Sequence, residues 1–295
     1  MEIHWPLILF TFFLAVASGI MFGQGLLTAT GKGKKTQKVA LISSFVALVV
    51  GGIAVFLHLQ HWERIFNGFG HITSGITMEF IGVIVFVIVL LIYLLVMRRA
   101  EDETAPKWAG WMFMIIGVLM MLVVGDSYLM PSLPAWDSPM LLVYYVCNML
   151  ALGAVLTLII SVGCHAEEGM PTIKKLLIVG TVLELLAVLI YAIVITANGG
   201  LYTDHGFYFD PTLPDVAMVD TAAVVNLFTG ESAVLFWILV MVIGCIVPVV
   251  LAFIINKAKG NVMTLAVVTL VTIVVGSLAW RVILYIVAIH IFAVF

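Results

Sequence analysis

Apolar runs of about 20 residues recur along this chain with short polar connections between them, and a helix of that length crosses a hydrocarbon layer about 30 Å thick. Eight such runs can be placed: Pro6–Leu27, Val39–Leu59, Ile76–Met97, Trp108–Leu129, Met140–Gly163, Lys174–Ala197, Ser232–Ile255 and Val262–Val294. Within a bilayer every backbone N–H and C=O must find its partner inside the span, so runs of this kind fold as helices. A β-barrel would instead show short alternating segments. The sequence is 64% hydrophobic and 10% charged, which excludes a soluble domain of this size. The reading is an all-α, polytopic membrane bundle in which residues 1–295 form a single integral membrane domain. The last run exceeds a simple crossing, so it is expected to tilt, kink or emerge from the bilayer.

No internal repeat, low-complexity tract or extramembrane domain interrupts this pattern. The opening "MEIHWP" lacks a basic segment of the cleaved-signal type, so the first run reads as a retained helix. The longest connection, residues 198–231, is rich in Gly, Pro and Asp and is expected to cap one face. Cys147, Cys164 and Cys245 lie in or beside apolar runs and form no CxxC pair, which reads as small buried residues rather than a cluster or zinc site.

Lysine and arginine set the expected orientation. Lys32, Lys34, Lys35 and Lys38 follow the first run, and Arg98, Arg99 and Lys107 follow the third. Lys174 and Lys175 precede the sixth, and Lys257 and Lys259 precede the eighth. Eleven of the 13 basic residues therefore fall in odd-numbered loops, leaving Arg64 in an even loop and Arg281 inside the last run. By the positive-inside rule the odd loops are cytoplasmic and both termini face outward.

On that orientation the stretch "FLHLQHWERIFNGFGHITSGITMEF", residues 56–80, lies at the outer membrane edge. His4, His58, His61, His71, His205 and His290 all fall near that edge, and His165 near the other. An ionisable side chain below the headgroups costs about 2.5–3.5 kcal/mol on insertion scales and so faces a cavity or a partner. Glu79 is placed in the first turn of the third helix and His58 in the last turn of the second, where the helix ends favour a carboxylate and a base respectively. Arg281 lies at a depth that suits pairing with Glu79 or Asp126. A histidine, a carboxylate and an arginine beside lipid suit accepting protons from a hydroquinone and holding its head group. Taken singly, His4, His61, His71 and His205 read as helix-end or interfacial residues, and Arg281 reads equally as a neutraliser of Asp126. His58 and His61 at i, i+3 form only a weak metal or haem signal, since haem ligands usually come from facing helices. Glu184, mid-run in "GTVLELL", fits either a proton path or a protonated glutamate bonded to a neighbouring helix.

Several segments, in order, resemble the membrane anchor subunit of the dimethyl sulfoxide reductase type: "HWPLILFTFF", "FLHLQHWERIFNGF", "TMEF", "YLMPSLPAW" and "WRVILYIVAIH". That resemblance implies a complex of three subunits in a bacterial or archaeal cell (inner) membrane. They are a molybdopterin catalytic chain, a chain with four iron–sulfur clusters, and an anchor that oxidises menaquinol and carries no haem. It implies a quinol site at His58 and Glu79, with Arg281 matching the arginine of the eighth helix; Asp126 joins these as a candidate quinol-binding residue. The segment "QHWE" departs from the small-residue turn usual there, so His61 and Glu63 are candidates to adjust the site or the docking surface.

No histidine pair or cysteine motif offers a relay across the bilayer, so the partners are expected on the outer face, with no nucleic-acid partner. The terminal acceptor belongs to the catalytic chain. Two other readings stay open: a proton-coupled transporter, which would want ionisable groups at mid-membrane and broken helices, and a passive anchor without a quinone site.

Overall fold

Proline at the first turn opens three of the long helices, through Pro6, Pro139 and Pro171, where a missing N–H costs nothing. In the computed structural model, which describes residues 3–58, 70–201, 221–258 and 260–289, the apolar runs become α1 (Trp5–Ala29), α2 (Gln37–His58), α3 (Gly75–Arg99), α4 (Lys107–Ser127), α5 (Pro139–Gly163) and α6 (Met170–Ala197). A short 3₁₀ turn, Asn198–Leu201, and a small helix, α7 (Thr221–Val225), precede a π-helical stretch, Leu235–Ile246, that continues directly into α8 (Val247–Lys257). Pro248, which cannot donate to the ladder, sits where the π winding gives way to α. The last helix is α9 (Val262–Ile286). Among the described residues, eight helical segments are long and apolar enough to cross a membrane, counting Leu235–Lys257 as one.

Among the described residues α9 ends at Ile286, where Val287 and Ala288 bond back to Ile283 and Tyr285, and residues 290–294 of the last run lie outside the described residues. Its 25 residues make a simple crossing.

α1 is the hub. It packs against α2, α4, α5 and α9, and residues all round its circumference are buried. Lipid gives helices no hydrophobic reason to associate, so such contacts depend on close approach through small residues. At the crossing of α1 and α5, a Cβ on Gly19 or Gly153 would fall within 2.7 Å of the other helix's backbone, so only glycine fits there. α2 shows the same logic on one face: Ala40, Ser44, Ala47, Gly51 and Ala54 are buried, while Ile42, Phe45, Val49 and Ile53 point outward as a lipid-facing stripe.

The basic loops converge at one end of the bundle. Lys35 donates to the His165 carbonyl at 3.1 Å, Lys32 approaches Thr172 at 3.3 Å, and Lys174 donates to the Ala258 carbonyl at 2.9 Å. Lys34 and Lys38 pair with Asp102 and Glu103. Beneath them Gln24 is wholly buried; its amide reaches Thr28, Tyr93 and the Gly33 carbonyl and accepts from Thr36 at 2.7 Å. This lysine-rich end is therefore locked by hydrogen bonds. The opposite end, where α1 and α3 begin and α2, α4 and α9 finish, carries the candidate site.

Candidate functional site

At that opposite end His4 immediately precedes α1 and His58 is the last residue of α2. Their rings meet edge to face, with centroids 5.2 Å apart. His4 also lies 5.9 Å from the ring of Tyr285, at the end of α9. A run of rings continues inward from Tyr285 to Trp136 at 5.2 Å, from Trp136 to Tyr128 at 5.3 Å, and from Tyr128 to Tyr145 at 6.5 Å. The "YLMPSLPAW" segment is fixed over α9 because the Trp136 indole donates to the Leu284 carbonyl at 2.8 Å, while the Tyr191 hydroxyl donates to the Ala135 carbonyl at 2.6 Å. His58 is exposed, next to the outward-facing Phe56 and Leu57, and so is reachable from the lipid side.

Glu79 enters from the other flank. α3 begins at Gly75, so Glu79 sits in its second turn rather than the first, and the attraction of the helix end for its carboxylate is correspondingly weaker. Gly75 lies so close to Ser127 that a Cβ would come within 2.9 Å of it. The Ser127 hydroxyl contacts the Glu79 carboxyl at 2.5 Å and the Val124 carbonyl at 2.8 Å. Glu79 thus lies at the same end of the bundle as His4 and His58, held there by Ser127 at the end of α4.

Arg281 forms the floor. It lies five residues inside the end of α9 and is 2% exposed. Its Nε donates to the Thr11 hydroxyl at 3.2 Å, Nη1 to the Tyr144 hydroxyl at 2.8 Å and to the Ser277 hydroxyl and carbonyl, and Nη2 to the Asn148 side-chain oxygen at 3.1 Å. The rings of Phe12, Tyr144 and Tyr145 lie 5.4–5.8 Å from the guanidinium carbon. The expected ion pair with Glu79 or Asp126 is therefore corrected: the partners are neutral oxygens and aromatic faces. Among the described residues the ion pairs are the two at the lysine-rich end.

Between these groups is a small cavity of about 10 Å³, room for roughly one water molecule, lined by Thr11, Tyr128, Trp136, Tyr145, Arg281 and Tyr285 with two leucines. The Tyr285 hydroxyl is buried without a hydrogen bond of normal geometry. That end of the bundle thus offers a base at the lipid edge, an acid with a hydroxyl partner, a run of phenols and a buried positive charge. These donors, acceptors and rings are of the kinds that bond the hydroxyls of a quinol or the carbonyls of a quinone at the lipid-facing edge, outside the one-water cavity.

Asp126 is exposed at the end of α4, and it is the next residue, Ser127, that turns toward Glu79. Glu184 is 3% exposed in mid-α6 and accepts from the Asn148 amide at 2.6 Å, which is the bonded arrangement expected of a structural glutamate. Asn148 thereby bridges Glu184 and Arg281. His71 is exposed ahead of α3. His61, Glu63, His205 and His290 lie outside the described residues. Among the described residues no group of three or more His, Cys, Asp or Glu side chains comes together.

Sequence reasoning missed Ser127, Tyr128, Trp136, Tyr285 and Thr11 as parts of this region. Thr11, Tyr128, Trp136 and Tyr285 lie inside the quoted segments, but hydroxyls and rings in apolar runs carry no charge to mark them.

Residues 1–287 match a protein family described as the DMSO reductase anchor subunit (DmsC). No curated protein matches the chain.

Proposed function

The chain belongs to the DMSO reductase anchor subunit family, and from that premise we propose that it takes electrons from menaquinol in the bilayer and passes them to an iron–sulfur partner. Membership makes it a multi-pass cell membrane protein and the anchor subunit of a complex of the DMSO reductase type. The observation that carries the finer reading is that one end of the bundle holds both the lipid-accessible His58, packed on His4 beside Tyr285, and the Glu79–Ser127 pair.

Oxidation of a hydroquinone releases two protons and two electrons. In this reading His58 accepts the first proton at the lipid edge, where its neutral imidazole is a suitable base. Glu79 receives the second, and Ser127 keeps the carboxyl hydrogen-bonded in either protonation state. The buried Arg281 has its N–H donors committed within the protein, so it acts on the site through its charge rather than through a direct bond to the quinol. The electrons leave one at a time to a cluster in the partner, on the same face as the site. That face is the outer one by the distribution of lysine and arginine, and the molybdopterin and iron–sulfur subunits dock there.

The transporter reading wants a mid-membrane ionisable group on an open path, whereas Glu184 is enclosed and bonded to Asn148. The test is quinol oxidation by the purified complex in the presence of a quinone-site inhibitor. Turnover that the inhibitor abolishes competitively supports the proposal; an assembly that reduces its acceptor from artificial donors but never from quinol points to a passive anchor.

A further inference from the structure

At the lysine-rich end, α2 and α3 are neighbours in sequence but each packs mainly elsewhere, α2 on α1 and α3 on α4. The space between them is a cleft of about 590 Å³, in the size range of small-molecule sites. Its walls are Leu41 and Ile42 from the first turns of α2 and Leu94 and Met97 from the last turns of α3. Its rim carries Lys38, Arg98 and Glu103. These positions, the second residue of α2 and the penultimate residue of α3, fall where apolar spans meet the polar boundary of a bilayer.

The charges at the rim are unequal. Lys38 and Glu103 are joined at 2.5 Å, and the Glu103 carboxyl is held below its usual range chiefly by that lysine. Arg98 is exposed and forms no hydrogen bond or ion pair among the described residues, and it lies within electrostatic range of Glu103. With two cations to one carboxylate, the rim therefore presents a net positive charge above apolar walls. A soluble anion would gain nothing from those walls. A zwitterionic head group would bring an ammonium to a rim whose carboxylate is already taken.

We infer that the cleft is a binding site for an anionic phospholipid, with its phosphodiester on Arg98 and an acyl chain lying along Leu41, Ile42 and Leu94. The guanidinium fork matches two phosphate oxygens, and basic pockets between helices at this boundary are suited to anionic lipid head groups. The lipid bridges the two helices whose far ends carry His58 and Glu79. The inference stands apart from the quinol reading.

The test is the phospholipid retained by the intact complex after extensive washing in detergent, followed by exchange in nanodiscs of phosphatidylglycerol or phosphatidylcholine. Wild-type protein keeps phosphatidylglycerol and prefers it over phosphatidylcholine. Arg98→Ala lowers that retention about fivefold, the effect of one basic residue at the boundary. Ile42→Trp leaves every charge in place but fills the cleft, and it too displaces the lipid. Equal retention of the two lipids overturns the inference, as does wild-type retention in both variants. Loss in Arg98→Ala but not in Ile42→Trp also overturns it, because it shows surface attraction without a cleft.

Discussion

A serine hydroxyl has one hydrogen, yet Ser127 lies within bonding distance of two acceptors, the Glu79 carboxyl and the Val124 carbonyl. When Glu79 is a carboxylate, Ser127 donates to it. When Glu79 carries a proton, it donates to Ser127, whose hydrogen turns to Val124. The pair thus stays bonded through a proton cycle, which is what an acid beside a quinol requires. Ser127→Ala is expected to slow quinol oxidation roughly tenfold or more, the scale of one hydrogen bond to a charged group, while leaving assembly intact. Unchanged steady-state turnover by that variant would remove Ser127 from the site. Sequence pointed to the neighbouring Asp126, because charge stands out in an apolar run and a hydroxyl does not. A single residue's rotation about α4 decides which one faces Glu79, and that rotation is set by packing rather than by composition. His58 and Glu79 stand out in the sequence for the opposite reason: a titratable group at the edge of an apolar run carries a cost that demands a partner or a use.

Among the helices, the eight crossings were readable because their length follows from the thickness of the bilayer, and described ends differ from expectation mostly by a few residues. What could not be read was how the helices fasten to one another. Arg281 was expected to find a carboxylate. It instead binds α9 to α1 through Thr11 and to α5 through Tyr144 and Asn148, and Asn148 continues to Glu184 on α6. These partners are uncharged or distant in sequence, so no local pattern reveals them. With three side-chain bonds between helices, Arg281→Ala is expected to cost roughly 2–4 kcal/mol, since each such bond in a membrane bundle contributes about 0.6–1.7 kcal/mol. Thermal unfolding of the purified complex measures this. Arg281→Lys should fall in between, because a compact ammonium cannot reproduce the guanidinium fork. A midpoint unchanged in Arg281→Ala would mean that the clamp contributes nothing to stability.

For the molecule as a whole, contacts among the basic loops gather them at one end, and His4, His58 and Glu79 lie at the other. The side of the membrane to which each end belongs follows from the positive-inside rule. In a cysteine-free background, a cysteine at Lys35 should react with an impermeant reagent only from the cytoplasm, and one at Thr73 only from outside. The reverse pattern would place the proposed partners and the site on the inner face. The central claim is that quinol is oxidised at the end of the bundle that carries His58 and Glu79, and it is tested most directly by assaying His58→Ala and Glu79→Gln in the assembled complex with two electron sources. Quinol-driven turnover should fall by about 10²-fold or more, the usual contribution of a positioned acid or base, while an artificial donor that feeds the catalytic subunit directly still supports wild-type rates. Wild-type quinol turnover in both variants would contradict the account.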